Sequence, residues 1–330
     1  LTEMNGGVLM TFEGNPEKVE VKAVSEKLKN YKAIHKKYSD SVKIYFNADS
    51  EKIGLQQTEK LEFSYDADGK KDTVSLFYKK NVKNEMTITN KEGNLLPPLA
   101  DFKFTSDYIV DKIDPKDWIL TKDSTTSIPF TAKISETNPY QVLVKANFVE
   151  GEKYQLTVSS KTVSSFYDSN AKPYRFDFEA DKMLNYGTFT VKLTNKPENK
   201  FWIQLLDTSE KVQYSIYTND SEIKFNIVKP GEYFVRILSD ENGNEYYDVS
   251  NFELLKDAEP SFVYYKKLNI RPLWEIVEDW DLKDDRKLDP AATTVSKPVN
   301  APKNQIKTST KDNITTGSGA ALSPTRPLTR

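Results

Sequence analysis

The sequence predicts an all-β protein of serial β-sandwich units, and three observations carry that prediction. Apolar and polar residues alternate with a period of two in run after run, as they must where successive side chains point to opposite faces of a sheet. Tyr and Phe, which suit a pleated, half-buried surface, are abundant at 18 and 17. Turn residues interrupt the runs at intervals of roughly 8–12 residues, the spacing of a sandwich rather than of a doubly wound sheet.

In chain order, alternation is clear at residues 19–24 (VEVKAV), 41–46 (SVKIYF), 140–146 (YQVLVKA), 174–178 (YRFDF), 189–193 (FTVKL) and 233–237 (YFVRI). Asp68-Gly69, Glu150-Gly151, Lys229-Pro230-Gly231 and Asn242-Gly243-Asn244 supply the turns. Short helices are expected only near residues 25–29 and 115–118. A Pro-Pro break at Leu95-Leu96-Pro97-Pro98-Leu99 and a polar break at Ala180-Asp181-Lys182 divide the body into units 1–97, 98–182 and 183–285. Residues 286–330 hold no aromatic side chain and carry a net charge of +6, against −8 for the preceding 285 residues. Such a stretch buries too little apolar surface to offset its ordering entropy, so a disordered tail is expected from 286 onward.

Composition narrows the function. Of 330 residues, 37% are hydrophobic and 29% charged, with a formal net charge of −2 that gives no drive toward nucleic acid. No stretch approaches the ~18 apolar residues of a membrane span. Cysteine is absent, which removes disulfides, thiolate nucleophiles and Cys-based metal sites. One histidine, His35, is present, so Ser-His-Asp triads and zinc hydrolase sites have a single candidate at best. It lies among lysines that repel cations, and reads as a surface or edge-strand residue. The lysine pairs 36–37, 70–71, 79–80 and 266–267 read as edge-strand protection. The chain opens at Leu1 with no basic and apolar leader, so any targeting segment is expected upstream.

The third unit carries the most specific motifs. Lys229-Pro230-Gly231-Glu232-Tyr233 leads through Arg236 into Asp240-Glu241-Asn242-Gly243-Asn244, then Asp248, Asn251 and Phe252. Glu259-Pro260, Val263-Tyr264-Tyr265, Ile270-Arg271, Trp274 and Trp280 follow. This series resembles the C-terminal part of the Ig-like-domain lipoproteins of Bacteroidetes. Residues 101–104, 117–121 and 151–157 are similar to that family's Ig-like module, and residues 9–15 to the opening of its preceding β-domain. The sequence departs from the pattern at Tyr247, where the family has Trp, and at Glu245, where a Gly often stands. The resemblance implies tandem Ig-like or transthyretin-like sandwiches and an outer-membrane-anchored lipoprotein facing the periplasm or the cell surface. It implies no catalytic activity, and a membrane attachment only through a lipid anchor upstream of this chain.

Asp240, Asn242, Asn244 and Asp248 form the best chemical candidate. Oxygen donors at alternate positions of a tight loop closed by a carboxylate are what Ca2+ requires, with weak affinity expected. An Asn-Gly hairpin turn explains the same residues without a metal. Trp274 and Trp280 flank Glu275, Glu278 and Asp279, and either stack on a sugar or protein partner or close a core. Trp118 and Trp202 read as core. Tyr246-Tyr247 and Tyr264-Tyr265 put one ring on each sheet face, so Tyr246 and Tyr265 join the partner-binding candidates. The expected function is a non-catalytic module that scaffolds or docks within an assembly of outer-membrane or envelope proteins. The alternative is an adhesin or glycan-binding surface module, and a carboxylate glycosidase ranks third.

Overall fold

The computed structural model describes residues 1–4, 6–80, 86–123, 125–166, 169–250, 255–294 and 297–298. The chain is all-β, in three tandem β-sandwiches each closed on its own apolar core.

The first unit holds β1 (Thr2–Met4), β2 (Gly7–Thr11), β3 (Val19–Ala23), β4 (Tyr31–His35), β5 (Ser41–Phe46), β6 (Glu59–Ala67) and β7 (Lys70–Tyr78). Sheets β1-β2-β5-β4 and β3-β6-β7 enclose Val8, Met10, Ile44, Phe46, Leu61, Phe63 and Tyr78. Gly7 permits the tight β2–β5 approach, because a Cβ there would lie 1.9 Å from the Ile44 carbonyl oxygen. Asp68-Gly69 closes the β6–β7 hairpin with φ of 48° and 87°, the two positive values a type I′ turn needs. Residues 25–29 form turns rather than the expected helix.

The second unit holds β8 (Ile88–Thr89), β9 (Leu95–Leu96), β10 (Phe102–Ser106), β11 (Val110–Ile113), β12 (Ile119–Lys122), β13 (Thr126–Ser127), β14 (Phe130–Ile134), β15 (Gln141–Ala146), β16 (Lys153–Val158), β17 (Val163–Ser165) and β18 (Tyr174–Ala180). The sheets are β14-β15-β10-β8 and β13-β12-β16-β18-β9, with β11-β17 beside them. A 3-10 turn at Pro115–Asp117 precedes Trp118, which is buried and donates from Nε1 to Thr162 Oγ1 at 2.6 Å. The unit's opening segment serves both sheets in the Ig-like manner: β8 pairs with β10, and β9 runs parallel to β18 in the other sheet. The Pro-Pro pair therefore lies inside this unit. Met86, Ile88 and Leu96 belong to its core while the first core ends at Tyr78, so the junction lies between 78 and 86, not at 97. Proline punctuates the passage from one sheet to the other, where no ladder hydrogen bond is needed.

The third unit holds β19 (Gly187–Thr194), β20 (Phe201–Leu206), β21 (Val212–Thr218), β22 (Glu222–Val228), β23 (Gly231–Ser239), β24 (Ser261–Val263), β25 (Lys266–Ile270), β26 (Trp274–Asp281), β27 (Asp289–Thr293) and β28 (Lys297–Pro298). Sheets β22-β19-β26-β28 and β21-β20-β23-β25-β27, with β24 added to β23, enclose Phe189, Phe201, Ile203, Val235, Ile237, Tyr264 and Trp280. The last two strands overturn a tail beginning at 286. β27 runs parallel to β25 of one sheet, and β28 pairs with the start of β26 in the other, so this segment spans both sheets. Backbone pairing recruits it where its own composition offered little apolar surface. The expectation for residues beyond 298 lies outside the described residues.

The units touch. Tyr45 of β5, 2% exposed, shares a hydrogen bond between hydroxyls with Tyr140, whose ring also receives Lys43 Nζ at 5.1 Å from its centroid. Between the second and third units, the Asp181 carboxylate accepts from Asn185 Nδ2 at 2.5 Å and Tyr186 Oη at 3.0 Å.

Candidate interaction site

Strand β23 ends at Ser239, and the next residue sets the following loop. Asp240 is fully buried. Its Oδ1 accepts from the Asn244 backbone N–H at 3.1 Å, and its Oδ2 from the Glu245 N–H at 2.9 Å and Tyr217 Oη at 2.5 Å. A buried carboxylate must be supplied with donors, and the loop curls around this one to supply them. Gly243 takes φ 72° with open space about it, which permits the reversal. Asn244 Oδ1 then accepts from the Tyr246 N–H at 2.8 Å.

Glu259 closes the loop from its far side. It is 6% exposed and accepts from the Glu241 N–H on Oε1 at 2.7 Å and from the Asp248 N–H on Oε2 at 2.8 Å. Its backbone carbonyl accepts from Tyr247 Oη at 2.8 Å, and its N–H donates to the Asp248 carbonyl at 3.0 Å. Two buried carboxylates thus satisfy four loop N–H groups. Burial, and after it the Asp240 carboxylate, push the Tyr217 hydroxyl up to about 12.

In this structure the four residues expected to hold Ca2+ are engaged with protein donors rather than gathered about a shared position. Asn242 and Asn244 turn their N–H2 groups toward Asp248 Oδ2, at 2.6 and 3.4 Å, and Lys256 Nζ takes the same oxygen at 2.9 Å. Both Asp240 oxygens already accept protein donors. A cation would have to displace an ammonium and several N–H groups, so the four residues make a hydrogen-bonded loop, and Asn242-Gly243 is its turn. Nor is this a simple hairpin, because β24, which pairs back on β23, begins only at Ser261. Among the described residues, no group of three or more His, Cys, Asp or Glu side chains gathers as a metal shell.

The loop reaches the first unit through Tyr246. Its ring lies 4.8 Å from that of Tyr38, and its hydroxyl accepts from Asn15 Nδ2 at 3.1 Å. Lys36, Lys37, Tyr38 and Ser39 on one side, and Gly243 to Tyr246 on the other, bound a cleft of about 620 Å³. Tyr38 holds φ 60°, a strained conformation for a bulky residue, at the tip of the β4–β5 turn. The partner that Tyr246 meets is thus another part of its own chain.

The remaining candidates separate. Trp280 is 3% exposed and packs 5.2 Å from Tyr264 in the core, which removes it from any binding surface. Trp274 is half-buried, with the Arg271 guanidinium 5.3 Å from its ring centre and its backbone paired to β28. Tyr265 is half-buried under the Arg286 guanidinium at 3.5 Å, with Lys266 Nζ at 5.1 Å. Tyr264 is the buried member of its pair and donates to Glu278 Oε2 at 2.5 Å. Glu278 is therefore a core-edge acceptor that also takes Lys266 Nζ at 3.2 Å. Trp202 is not core: it lies half-buried on the outer face of the β20–β23 sheet, stacked 4.5 Å from Tyr217. His35 Nε2 lies 3.1 Å from the Ser39 carbonyl oxygen, within the β4–β5 hairpin.

Sequence reasoning gave no role to Tyr217, and Asn15 and Glu259 entered only as parts of motifs. The first two are remote in sequence from the loop they serve, and no local pattern marks them for it.

No protein-family model and no curated protein sequence matches the chain. Among solved structures, it is similar to the N-terminal part of the bacterial S-layer protein SbsC, at 15% identity and TM-score 0.26, over 56% of this chain and 43% of that one. It is also similar to SGBP-B of the Bacteroides ovatus mixed-linkage glucan utilization locus, solved with a mixed-linkage heptasaccharide, at 10% identity and TM-score 0.25, over 65% of each chain. A third likeness, to the titin I-band fragment I67-I69, has 12% identity and TM-score 0.17 over 71% of this chain and 89% of that one. The chain thus covers less than two thirds of the first two. Overlaps this slight leave both fold and function to be argued from the chain's own residues.

Proposed function

We propose that this chain is a non-catalytic structural and interaction module of a cell envelope, a lipid-anchored protein of the outer membrane that docks other envelope proteins. The observation that carries the reading is how the buried carboxylates are used. Asp240 and Glu259 spend their oxygens on loop N–H groups and a tyrosine, and so fix a recognition loop in shape rather than wait for a substrate. The contacts of the first unit with both others supply a second support, since a docking module gains from holding its loops in fixed relation.

The test is fractionation of the producing cell with crosslinking in place. The reading expects the chain in the outer-membrane fraction, joined to a membrane protein through residues of the third unit. Recovery from the cytosolic fraction, or crosslinks that are unchanged when the chain is heat-denatured beforehand, would sink it.

A second reading, a glycan-binding surface module, is favoured by the Trp202–Tyr217 stack. Aromatic faces on a flat sheet accept the C–H faces of sugars, and the neighbouring Arg236 Nε–Gln204 Oε1 pair at 2.7 Å offers polar groups for hydroxyls. Retention on a glycan array that Trp202→Ala abolishes would select it. A null array would leave only the first reading.

A further inference from the structure

Open sheet edges invite pairing with another chain, and folded proteins protect them with charges, prolines or short strands. Among the described residues, the terminal strands are protected with one exception. In the first unit, β1 has three residues, β3 carries Glu20 and Lys22, β4 carries Lys32, and β7 carries Lys70, Lys71 and Asp72. In the second, β14 carries Lys133, β11 carries Asp111 and Lys112, β17 has three residues, and β8, β9 and β13 have two each. In the third, β22 carries Glu222 and Lys224, β27 has Asp289 and Pro290, β28 ends on Pro298, and β24 has three residues.

Strand β21 is the exception. Its seven residues, VQYSIYT, contain no charge and no proline, and it ends the sheet with β20 as its only strand partner among the described residues; a register shift opposite Leu205 and Leu206 is confined to its start and leaves Tyr214 to Thr218 regularly paired. Valine, isoleucine, threonine and tyrosine make up five of the seven, a composition suited to pairing. We propose that β21 is a homotypic docking edge, on which a second copy of this chain pairs antiparallel about Ser215 and joins two sheets into one.

The sequence of the strand fits that occupant. Pairing about Ser215 sets Tyr214 opposite Ile216 on the inner face, while Val212, beyond the register shift against Leu205 and Leu206, is exposed and takes no part. Gln213 meets Tyr217 on the outer face. Aromatic–β-branched and polar–aromatic neighbours of this kind favour a ladder. Tyr214 and Ile216 already pack on the rim of the third core, half-buried, so a second copy would continue that core across the two-fold axis. Charge fits as well: Lys211 of one copy falls beside Asn219 and Asp220 of the other. Glu210 turns away at φ 60° before it would meet Asp220. One strand pair lies at the small end of specific interfaces, so the dimer is weak and forms at high local concentration, as on a surface. The inference is independent of which envelope partner the module has.

The chain's lack of cysteine gives a direct test. In antiparallel pairing about Ser215 the two Ser215 Cα atoms lie about 4.5–5.5 Å apart, within disulfide reach. The two Gln213 positions, four residues out of register on neighbouring strands, lie about 14 Å apart. Ser215→Cys should therefore oxidise to a disulfide-linked dimer at least tenfold faster than Gln213→Cys in the full-length protein. Both positions are exposed. Sedimentation of the unmodified protein up to roughly 500 μM should show a monomer–dimer equilibrium. Ser215→Lys, which brings two ammonium groups together at the two-fold axis, should weaken it at least tenfold with melting unchanged. Equal crosslinking at the two positions, faster crosslinking at 213, a monomer throughout, or a dimer indifferent to Ser215→Lys would each overturn the proposal.

Discussion

Tyr246 of the third unit accepts a hydrogen bond of 3.1 Å from Asn15 of the first, 231 residues away in sequence. With the Tyr38 ring 4.8 Å from its own, Tyr246 latches the 240–248 loop to the β4–β5 turn. The latch is small, one ring contact and one hydrogen bond, and none of its three residues belongs to the third core. Tyr246→Ala should therefore leave the melting of the third unit within about 0.5 kcal/mol, the usual range for a surface substitution. It should nonetheless lengthen the distance between the first and third units, read by spin labels placed in each. An unchanged distance distribution would show that other contacts hold the two units.

Glu259 ties two separated points of the loop together, because its two oxygens accept from the N–H groups of Glu241 and Asp248. Glu259→Ala strands both N–H groups in a site that is largely closed to water. A loss of about 2–4 kcal/mol in chemical denaturation is expected, since hydrogen bonds to charged groups carry about 1.5–3 kcal/mol each and the loop partly rehydrates. Glu259→Gln keeps one acceptor and should lose less. Loss below 0.5 kcal/mol in both variants would mean the loop is held elsewhere.

How much of this was legible in the sequence depended on how local the cause was. Strands such as 189–193 and 233–237 were readable because alternation is a property of adjacent residues. The Asp68-Gly69 hairpin was readable because a two-residue turn names its own residues. The strands at 289–293 and 297–298 were not, because their partners, β25 and β26, lie earlier in the chain and supply the pairing groups. The loop at 240–248 was legible, but the way its oxygens are used was not. Spacing shows which oxygens are present and does not show that Tyr217, Lys256 and the backbone have already engaged them. Pro97-Pro98 marked a real break, though one between two sheets of a single unit rather than between units.

The Tyr217 hydroxyl gives a pH signature. Its proton is retained in the folded state up to about 12 from an ordinary 10.0, through burial and then the Asp240 carboxylate. The native state therefore holds a proton that the unfolded chain releases. The stabilisation is complete below pH 10.0 and is lost as pH rises toward about 12. Other buried tyrosines contribute in the same direction, so the informative quantity is the difference between wild type and Tyr217→Phe. That difference should shrink between pH 10.0 and about 12 in denaturant titrations. A gap that stays constant across the window would contradict the assignment.

The two C-terminal tryptophans should respond differently to truncation. Trp280 is 3% exposed among Tyr264 and its neighbours, so Trp280→Ala should cost about 3–5 kcal/mol, the range for emptying an aromatic site in a core. Trp274 is half-buried beside Arg271, and Trp274→Ala should cost less than half as much. Guanidinium denaturation of both variants measures this directly. Equal losses would place Trp274 in the core as well.

The segment that spans the two sheets of the third unit makes the last prediction. Asp289 and Thr293 pair with Lys266 and Lys267 of β25, Thr294 Oγ1 accepts from the Asn269 N–H at 3.4 Å, and Arg286 covers the Tyr265 ring at 3.5 Å. A chain shortened to residues 1–285 loses all of these, bares the β25 edge and uncovers Tyr265. The reference is the chain shortened to 1–298, which keeps both strands. Against it, 1–285 should melt several degrees lower, with the loss confined to the third unit, because the other two cores share none of these residues. Hydrogen exchange should show the Lys266–Ile270 amides opening first. If 1–285 melts with 1–298, the pairing of β27 and β28 contributes nothing to the fold, and the body ends where composition alone would have ended it.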